Sequence, residues 1–555
     1  MLFKRRFFGA ILAIGLVESL LLVYSVRIAR AGESIYIRAD GSVEPASAPL
    51  QRLDDSYSLV DDVYNMTFVV ERDNIVLDGE NHLVEGSIDI ACGIDLSMRR
   101  NVSVRNIRIK GFSCGIFFFQ NRYSSISNCS VSDNVHYGIW VLGTGYSSIE
   151  NNTLKNGGEA ICMESSAYNH LLFNDLRRNK IGIDIDRSTC NTLRGNSMAL
   201  NLRNFACYGW FLSDLLNDVD TSNTVDGKPI YYWVNRHNAT VPPDAGAVTI
   251  VNSSAITVMN LLLRNNLIGV NLAFTKNSIV ENVTTYDNYG GVSASYCESI
   301  TISKCSVNNS EGFGIGIVRG GANRIVQNDV RYTNSSGIWL EDTNFNLVIG
   351  NNVSYSHHVF SAQEVDGSGI LVDDSSRNNV TGNNLYRNAY GIGMGPTDSQ
   401  QNRITKNILE ENGIGLVLAM AQYNFIYHNN FINNGVQATN SWLGYSQPTY
   451  NTLDSGVFGG NYWSNYNGSD ANHDGMGDVP YVVNQANIDH YPIMHRWRPC
   501  DVNCDGLVNV LDLIRIANAI GSKPNDPKWN PNADVREDEV INVLDLILVA
   551  VNLGT

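Results

Sequence analysis

Gly115-Ile116-Phe117-Phe118, Gly138-Ile139-Trp140-Val141 and Gly182-Ile183-Asp184-Ile185 repeat one tetrad, Gly-apolar-x-apolar, and Ala160 holds the place between the second and third. The glycine returns at Gly269, Gly291, Gly314, Gly337, Gly369, Gly391, Gly413 and Gly435, in steps of 22, 23, 23, 32, 22, 22 and 22 residues. Asparagines keep the same beat at Asn106, Asn128, Asn151, Asn174 and Asn196, then at Asn282, Asn328, Asn351, Asn383, Asn407 and Asn429. Each period holds two short β-branched runs of period 2, such as residues 125–131 and the tetrad itself, which read as strands. Glycine allows the turn before the second strand, asparagine tolerates left-handed backbone at the other turn, and asparagines one coil apart can stack as an amide ladder. One coil cannot bury its own apolar residues, but a stack can. The expectation is an all-β fold, a parallel β-helix solenoid of about 13 coils. Helical repeats fit neither the alternation nor the Gly/Asn density.

Outward from the repeat, 555 residues with 43% apolar and 17% charged side chains describe a folded chain. A net charge of −16 excludes a basic nucleic-acid-binding stripe. Lys4, Arg5 and Arg6 precede an apolar run over residues 7–26, followed by Arg27-Ile28-Ala29-Arg30-Ala31-Gly32. That order reads as a secretory signal cleaved after Ala31, and its length also suits an uncleaved membrane anchor; either exports the rest. Eight of the cysteines, from Cys92 to Cys305, sit in apolar repeat contexts and read as core, whereas Cys500 and Cys504 could bridge outside the cell.

Three stretches carry a narrower resemblance. They are residues 35–42 with Asn74-Ile75-Val76-Leu77-Asp78-Gly79, then residues 223–232, then Gly460-Asn461-Tyr462-Trp463-Ser464 with residues 470–478. The chain resembles right-handed parallel β-helix proteins of PbH1 repeats, within the NosD-like carbohydrate-binding and sugar-hydrolase group. The resemblance implies the fold more than an activity, since this architecture hosts lyases, hydrolases, adhesins and accessory proteins. It divides the chain into a signal or anchor (1–31), an N-terminal cap (32–73), the β-helix (74–458, interrupted at about 209–247), a closing segment (459–498) and a C-terminal module (499–555).

In the closing segment Asp470, Asn472, Asp474 and Asp478 alternate as oxygen donors around Gly475 and Gly477, which suits a calcium loop or a polar turn. After Pro499 the pattern turns helical. Asp501, Asn503, Asp505, Leu507 (through its carbonyl), Asn509 and Asp512 occupy positions 1, 3, 5, 7, 9 and 12 of an EF-hand-type loop, with Gly506 at position 6. Thirty-three residues on, 541–547 repeat 508–514. This duplication resembles a type I dockerin, which implies calcium as cofactor and a cohesin-like partner domain. The second loop keeps Asp534, Asp538, Val540, Asn542 and Asp545, but Arg536 stands at position 3 and Glu539 replaces the glycine, so a weak or absent second site is expected. The pairs Val510-Leu511 and Val543-Leu544 occupy the positions that help select a dockerin's partner; they either meet an apolar partner or pack on the β-helix of the same chain.

Alternation places the x residues of each tetrad outward, toward solvent. Successive coils then present Phe117 with Phe119, Trp140 with Leu142, Cys162 with Glu164, and Asp184 with Asp186; further on come Trp339 with Glu341 and Asp342, then Leu371 with Asp373 and Asp374. Phe117, Trp140 and Trp339 are candidate sugar-stacking rings. Glu164, Asp184, Asp186, Glu341 and Asp373 are candidate catalytic carboxylates, since a pair about 5–9 Å apart can act as acid with base or nucleophile. The plain alternative is a solvated acidic face with ordinary pKa values. The aromatic group Trp210, Phe211, Tyr231, Tyr232 and Trp233 at the interruption reads chiefly as packing. Dispersed histidines, apart from His357-His358, and the lack of a Met-rich or Cys-x-x-Cys cluster give copper handling little support. The leading reading is polysaccharide recognition with dockerin-mediated attachment. A glycan hydrolase or lyase, and a structural rod or NosD-like accessory protein, stand as alternatives.

Overall fold

The computed structural model describes residues 33–357, 367–395, 399–419, 421–440, 449–536 and 538–554; the signal or anchor read at 1–31 lies outside them. The chain forms two compact units. The first runs to Val234 and takes in Asp244–Val251 and Arg264–Leu267; the second holds the remainder.

In the first unit each coil gives one short strand to each of three parallel sheets. One sheet stacks Glu33–Ile37, Met66–Val70, Cys92–Asp95, Cys114–Phe119, Tyr137–Leu142, Glu159–Glu164, Ile181–Asp186 and Arg203–Tyr208. Its register is direct: Ile94, Ile116, Ile139, Ile161, Ile183 and Phe205 form one column, 0–4% exposed. Full burial of each such side chain stabilises by about 2 kcal/mol. The second unit repeats this sheet from Ile268–Ala273 through Gly290–Glu298, Ile315–Gly321, Ile338–Asn344, Ser368–Asp373, Tyr390–Met394 and Ile414–Leu418 to Val436–Thr439. Tyr462–Trp463 closes on Asn430–Ile432, and the helices Val510–Ala519 and Val543–Val551 end the chain.

The solenoid has about 17 turns rather than about 13. The expectation counted glycine tetrads, and coils such as those of Glu33–Ile37, Met66–Val70 and Lys228–Val234 carry none. The glycines also work differently from the expected turn. None of Gly115, Gly138, Gly182, Gly291 or Gly337 has a positive φ. A Cβ on Gly138 would lie 2.6 Å from the Ala160 carbonyl oxygen and 2.9 Å from Leu154, so the glycine lets neighbouring coils close on each other inside the stack.

The asparagine beat merges two positions. Asn106, Asn128, Asn151 and Asn282 are left-handed turn residues, with φ of 51–54°. Asn174, Asn196, Asn328, Asn351, Asn383, Asn407 and Asn429 are fully buried rungs. In the first unit Nδ2 donates to the next Oδ1 along Asn152, Asn174, Asn196 and Asn223 at 3.0, 2.9 and 2.8 Å. In the second the series runs Asn328, Asn351, Asn383, Asn407, Asn429, Asn461 at 2.9–3.0 Å. Each rung also donates to a backbone carbonyl, as Asn174 does to Ile149 at 2.8 Å. The ladders thereby satisfy the turns' polar groups inside an apolar stack.

The interruption's aromatics divide. Tyr232 is buried and donates to the Leu215 carbonyl at 2.6 Å, whereas Trp210 and Phe211 remain 36% and 66% exposed.

Candidate functional site

The outward columns of the first unit fall where alternation puts them, but solvent scarcely reaches Phe117, Trp140, Cys162, Glu164, Asp184 and Asp186. Strands about 4.8 Å apart let outward side chains on successive coils cover one another. Phe117 and Trp140 are 2% and 0% exposed; their ring centroids are 4.9 Å apart, and Tyr137 stacks on Trp140 at 4.7 Å. With Cys92, Cys114 and Cys162 they form an apolar cluster on the outer face. Trp339 is 5% exposed against Phe313. These three rings therefore offer no free face to a sugar, contrary to the sequence expectation.

Beyond that cluster, in the first unit, the outer face turns acidic. Glu164 is in register with Asp186, and Cys162 with Asp184. Glu164, Asp184 and Asp186 are 5–7% exposed, so the alternative of a solvated acidic face also fails. Burial, then the charge of Asp186, pushes the Glu164 carboxyl up to about 7. Burial, then Glu159 and Asp186, raises Asp184 well above the carboxylate range. Burial raises Asp186 too, opposed by Arg187, whose guanidinium donates to Asp186 Oδ2 at 2.9 and 2.7 Å. Tyr208 donates its hydroxyl to Asp184 Oδ2 at 3.2 Å. Asp184 Oδ1 and Asp186 Oδ1 are buried without a partner. Buried, unsatisfied carboxylates cost stability, which is why such groups mark functional clefts.

Sequence reasoning missed Glu159 and Tyr208. Burial raises the Glu159 pKa, with Lys180 opposing. Glu159 belongs to a third outward column, that of Tyr137 and Ile181, which precedes the tetrad. Tyr208 continues the Glu164–Asp186 column in the coil just before the interruption. The 22-residue register would have found Tyr208, whereas strict alternation turns Glu159, two residues before the inward Ile161, to the wrong side.

In the second unit Glu341 faces Asp373 across adjacent coils. Burial, then Asp373, pushes Glu341 up to about 7, and its Oε2 has no partner. A Cβ on Gly395 would sit 2.2 Å from Asp373 Oδ1, so that glycine makes room for the carboxylate.

The two candidate cation loops of the C-terminal module fold from Asx turns. Asp501 Oδ2 accepts from Gly506 N, Asp505 Oδ1 from Leu507 N, and Asp512 Oδ2 from Asn509 N, at 2.9, 2.9 and 2.7 Å. Asn509 caps the helix Val510–Ala519. Asp501 Oδ1 is buried with no partner, and the donors are all hard oxygens, which fits a calcium ion. In the second loop Asp534, Asp538 and Asp545 bring carboxylate oxygens within 4.8 Å of one another. Arg536 pairs with Asp538 at 2.9 Å, and Glu539 adopts φ 61° in place of glycine. Residues 470–476 repeat the first loop's turns: Gly475 N donates to Asp470 Oδ2 and Met476 N to Asp474 Oδ1. Asp478 instead accepts from Ala471 N and Ser469. Cys500 and Cys504 are free thiols. Val510, Leu511, Val543 and Leu544 are 62%, 50%, 58% and 47% exposed, so they do not pack on the solenoid.

Comparison with known families settles membership. The model of the NosD family, described as periplasmic copper-binding protein (NosD), matches residues 54–210, 217–365 and 359–468. The chain belongs to the NosD family. Residues 499–554 of this NosD-family chain match the type I dockerin domain. Among curated proteins none matches it significantly. Similar solved structures include a mutant of the periplasmic alginate epimerase AlgG, at 12% identity and TM-score 0.31 over 74% of this chain and 81% of that one. Another is tailspike protein 3 of bacteriophage CBA120, at 10% identity and TM-score 0.23 over 78% and 58%. A third is the catalytic unit of a GH87 alpha-1,3-glucanase from Streptomyces thermodiastaticus, at 12% and 0.25 over 59% and 61%.

The family's copper does not fit the donors found. Among the described residues, the one cluster spaced for a metal is the all-carboxylate set Asp534, Asp538 and Asp545. Copper favours sulfur and imidazole. The buried His428 has its Nε2 2.9 Å from the Phe458 carbonyl oxygen, and no helix among the described residues is long and apolar enough to cross a membrane.

Proposed function

We propose that this is an exported glycoside hydrolase, attached through its dockerin to a cohesin-like domain, with its catalytic centre at Glu164 and Asp186. The reading rests on one observation: in-register carboxylates on adjacent coils, nearly dry, with burial pushing Glu164 up to about 7 while Arg187, bonded to Asp186, opposes the rise there. Environments that split two carboxylates in this way suit an acid and a base. Glu164 protonates the glycosidic oxygen as the bond to the anomeric carbon breaks. Asp186 attacks that carbon, and water, deprotonated by Glu164, later releases the sugar. A strand spacing of about 4.8 Å lies nearer the roughly 5 Å of this retaining geometry than the 6.5–9.5 Å of an inverting one. Tyr208 and Arg187 position Asp184 and Asp186. The exposed Trp210 and Phe211, with Arg187 over the Trp210 ring at 5.6 Å, supply sugar-stacking surface in place of Trp140.

Calcium held by Asp501, Asn503, Asp505, Asn509 and Asp512 orders the first dockerin loop, and Asp534, Asp538 and Asp545 are the side chains for a second ion. The exposed Val510-Leu511 and Val543-Leu544 form the partner face.

The test is the mature chain on a polysaccharide panel, following new reducing ends together with retention. Glu164→Gln and Asp186→Asn abolish product while the variants still fold, as read by circular dichroism. Retention on a glycan with no product from the unaltered chain would instead make this a recognition module.

A further inference from the structure

A cavity of about 410 Å³ lies in the second unit between the last coils, the segment Trp497–Cys500 and the second dockerin loop. Its size falls in the range of small-molecule sites, about 300–1,000 Å³. Its rim is basic. Arg403, Lys406 and Arg498 surround it in a chain whose net charge is −16. Neither Arg403 nor Arg498 forms an ion pair with a described residue. The lining carboxylates Asp501 and Asp534 are turned into their own loops, where they accept from Gly506 N, Asp538 N and Glu539 N.

The wall itself registers positive potential. His428 is buried, with its ring stacked on Trp497 at 5.8 Å. Burial, then the charges of Lys406 and Arg403, pushes its pKa down to about 4, so it adds no charge at neutral pH. The aromatic faces are already taken: Lys406 lies 5.3 Å over Trp497, and Arg403 5.2 Å over Tyr427. Ring stacking on a neutral sugar is therefore not what this cavity offers. Its free capacity is guanidinium donors, whose fork matches an oxyanion.

We propose that this cavity binds an anionic sugar residue, its carboxylate or sulfate held between Arg403 and Arg498. The inference rests on the reading that the chain acts on polysaccharide. It gives the solenoid's C-terminal end a contact with acidic glycan that involves none of the residues of the carboxylate centre.

The test titrates the mature, calcium-loaded chain by calorimetry with three tetrasaccharides: a galacturonate (carboxylate only), a κ-carrageenan (sulfate only) and neutral cellotetraose. One or both anionic probes bind and cellotetraose does not, and which of them binds identifies the oxyanion. Arg403→Gln and Arg498→Gln each weaken binding about tenfold, and added salt weakens the unaltered protein in the same direction. Calcium affinity and the unfolding midpoint of both variants stay unchanged. Glu164→Gln binds as tightly as the unaltered chain, so failure at the carboxylate centre is distinguishable from failure here. Equal binding of the neutral probe, no binding of either anionic one, or undiminished binding in the double variant Arg403→Gln/Arg498→Gln would overturn the proposal.

Discussion

Replacing Glu164 by glutamine should make the protein more stable at neutral pH while removing its chemistry. The carboxyl's pKa rises from 4.5 to about 7, chiefly through burial. A folded-state value above the unfolded one means that the native state binds the proton more tightly. This contribution is therefore complete below pH 4.5, declines as pH rises through the interval, and is fully lost above about 7. At 1.36 kcal/mol per pKa unit the loss amounts to about 3 kcal/mol. Glutamine keeps the shape and carries no proton to lose, so the variant escapes that decline. Scanning calorimetry from pH 4 to 8 is the measurement. The two proteins should keep a constant offset near pH 4 and diverge as pH rises, the variant's transition gaining roughly 6 °C for a unit of this size. An offset that stays constant across the whole range would refute the reasoning, because it would mean that Glu164 titrates as an ordinary, solvated carboxyl.

The amide ladder should be far less tolerant than the turns that share its period. Asn351→Ala takes the acceptor from the buried Asn328 N–H and removes the bonds to Asn328 Nδ2, the Ile325 carbonyl and Asn383 Oδ1. That should cost about 3 kcal/mol or more by urea denaturation, whereas Asn128→Gly at a left-handed turn should cost only a few tenths. Gly138→Val should fail to give folded protein by circular dichroism, since even a Cβ meets the Ala160 carbonyl at 2.6 Å. Asp501→Ala should weaken calcium binding at least tenfold by titration, and unchanged affinity would remove the first loop from the calcium reading.

The tetrad and its 22-residue beat made the solenoid legible, because glycine and period-2 alternation serve one geometry throughout the repeat. They did not reveal the glycine's task. A strand glycine that admits a neighbouring carbonyl and a turn glycine look alike in sequence, and only φ separates them. Asn151 and Asn174 likewise looked like one position, although one is a left-handed turn and the other a buried rung. Alternation set Glu164, Asp184, Asp186, Glu341 and Asp373 on the outward side, but the sequence reading looked to Glu164 with Asp184, whereas the register pairs Glu164 with Asp186 and Glu341 with Asp373. Alternation gives the side of the sheet but not the depth of cover, which depends on Tyr208, Arg187 and the rings of Tyr137 and Trp140 meeting across coils. The dockerin loops were legible position by position, because ligand spacing there is local.

The Asn351–Asn383 rung joins residues 32 apart at 2.9 Å, the same length as the rung between Asn383 and Asn407, 24 apart. The interior thus measures coils rather than residues, and extra chain spliced in at that corner is invisible to it. A chain built on this scaffold can be lengthened at a corner while the stack is left unchanged. For the engineer, the same corner is a splice point, where a loop chosen for a new ligand can be inserted with no redesign of the protein that carries it.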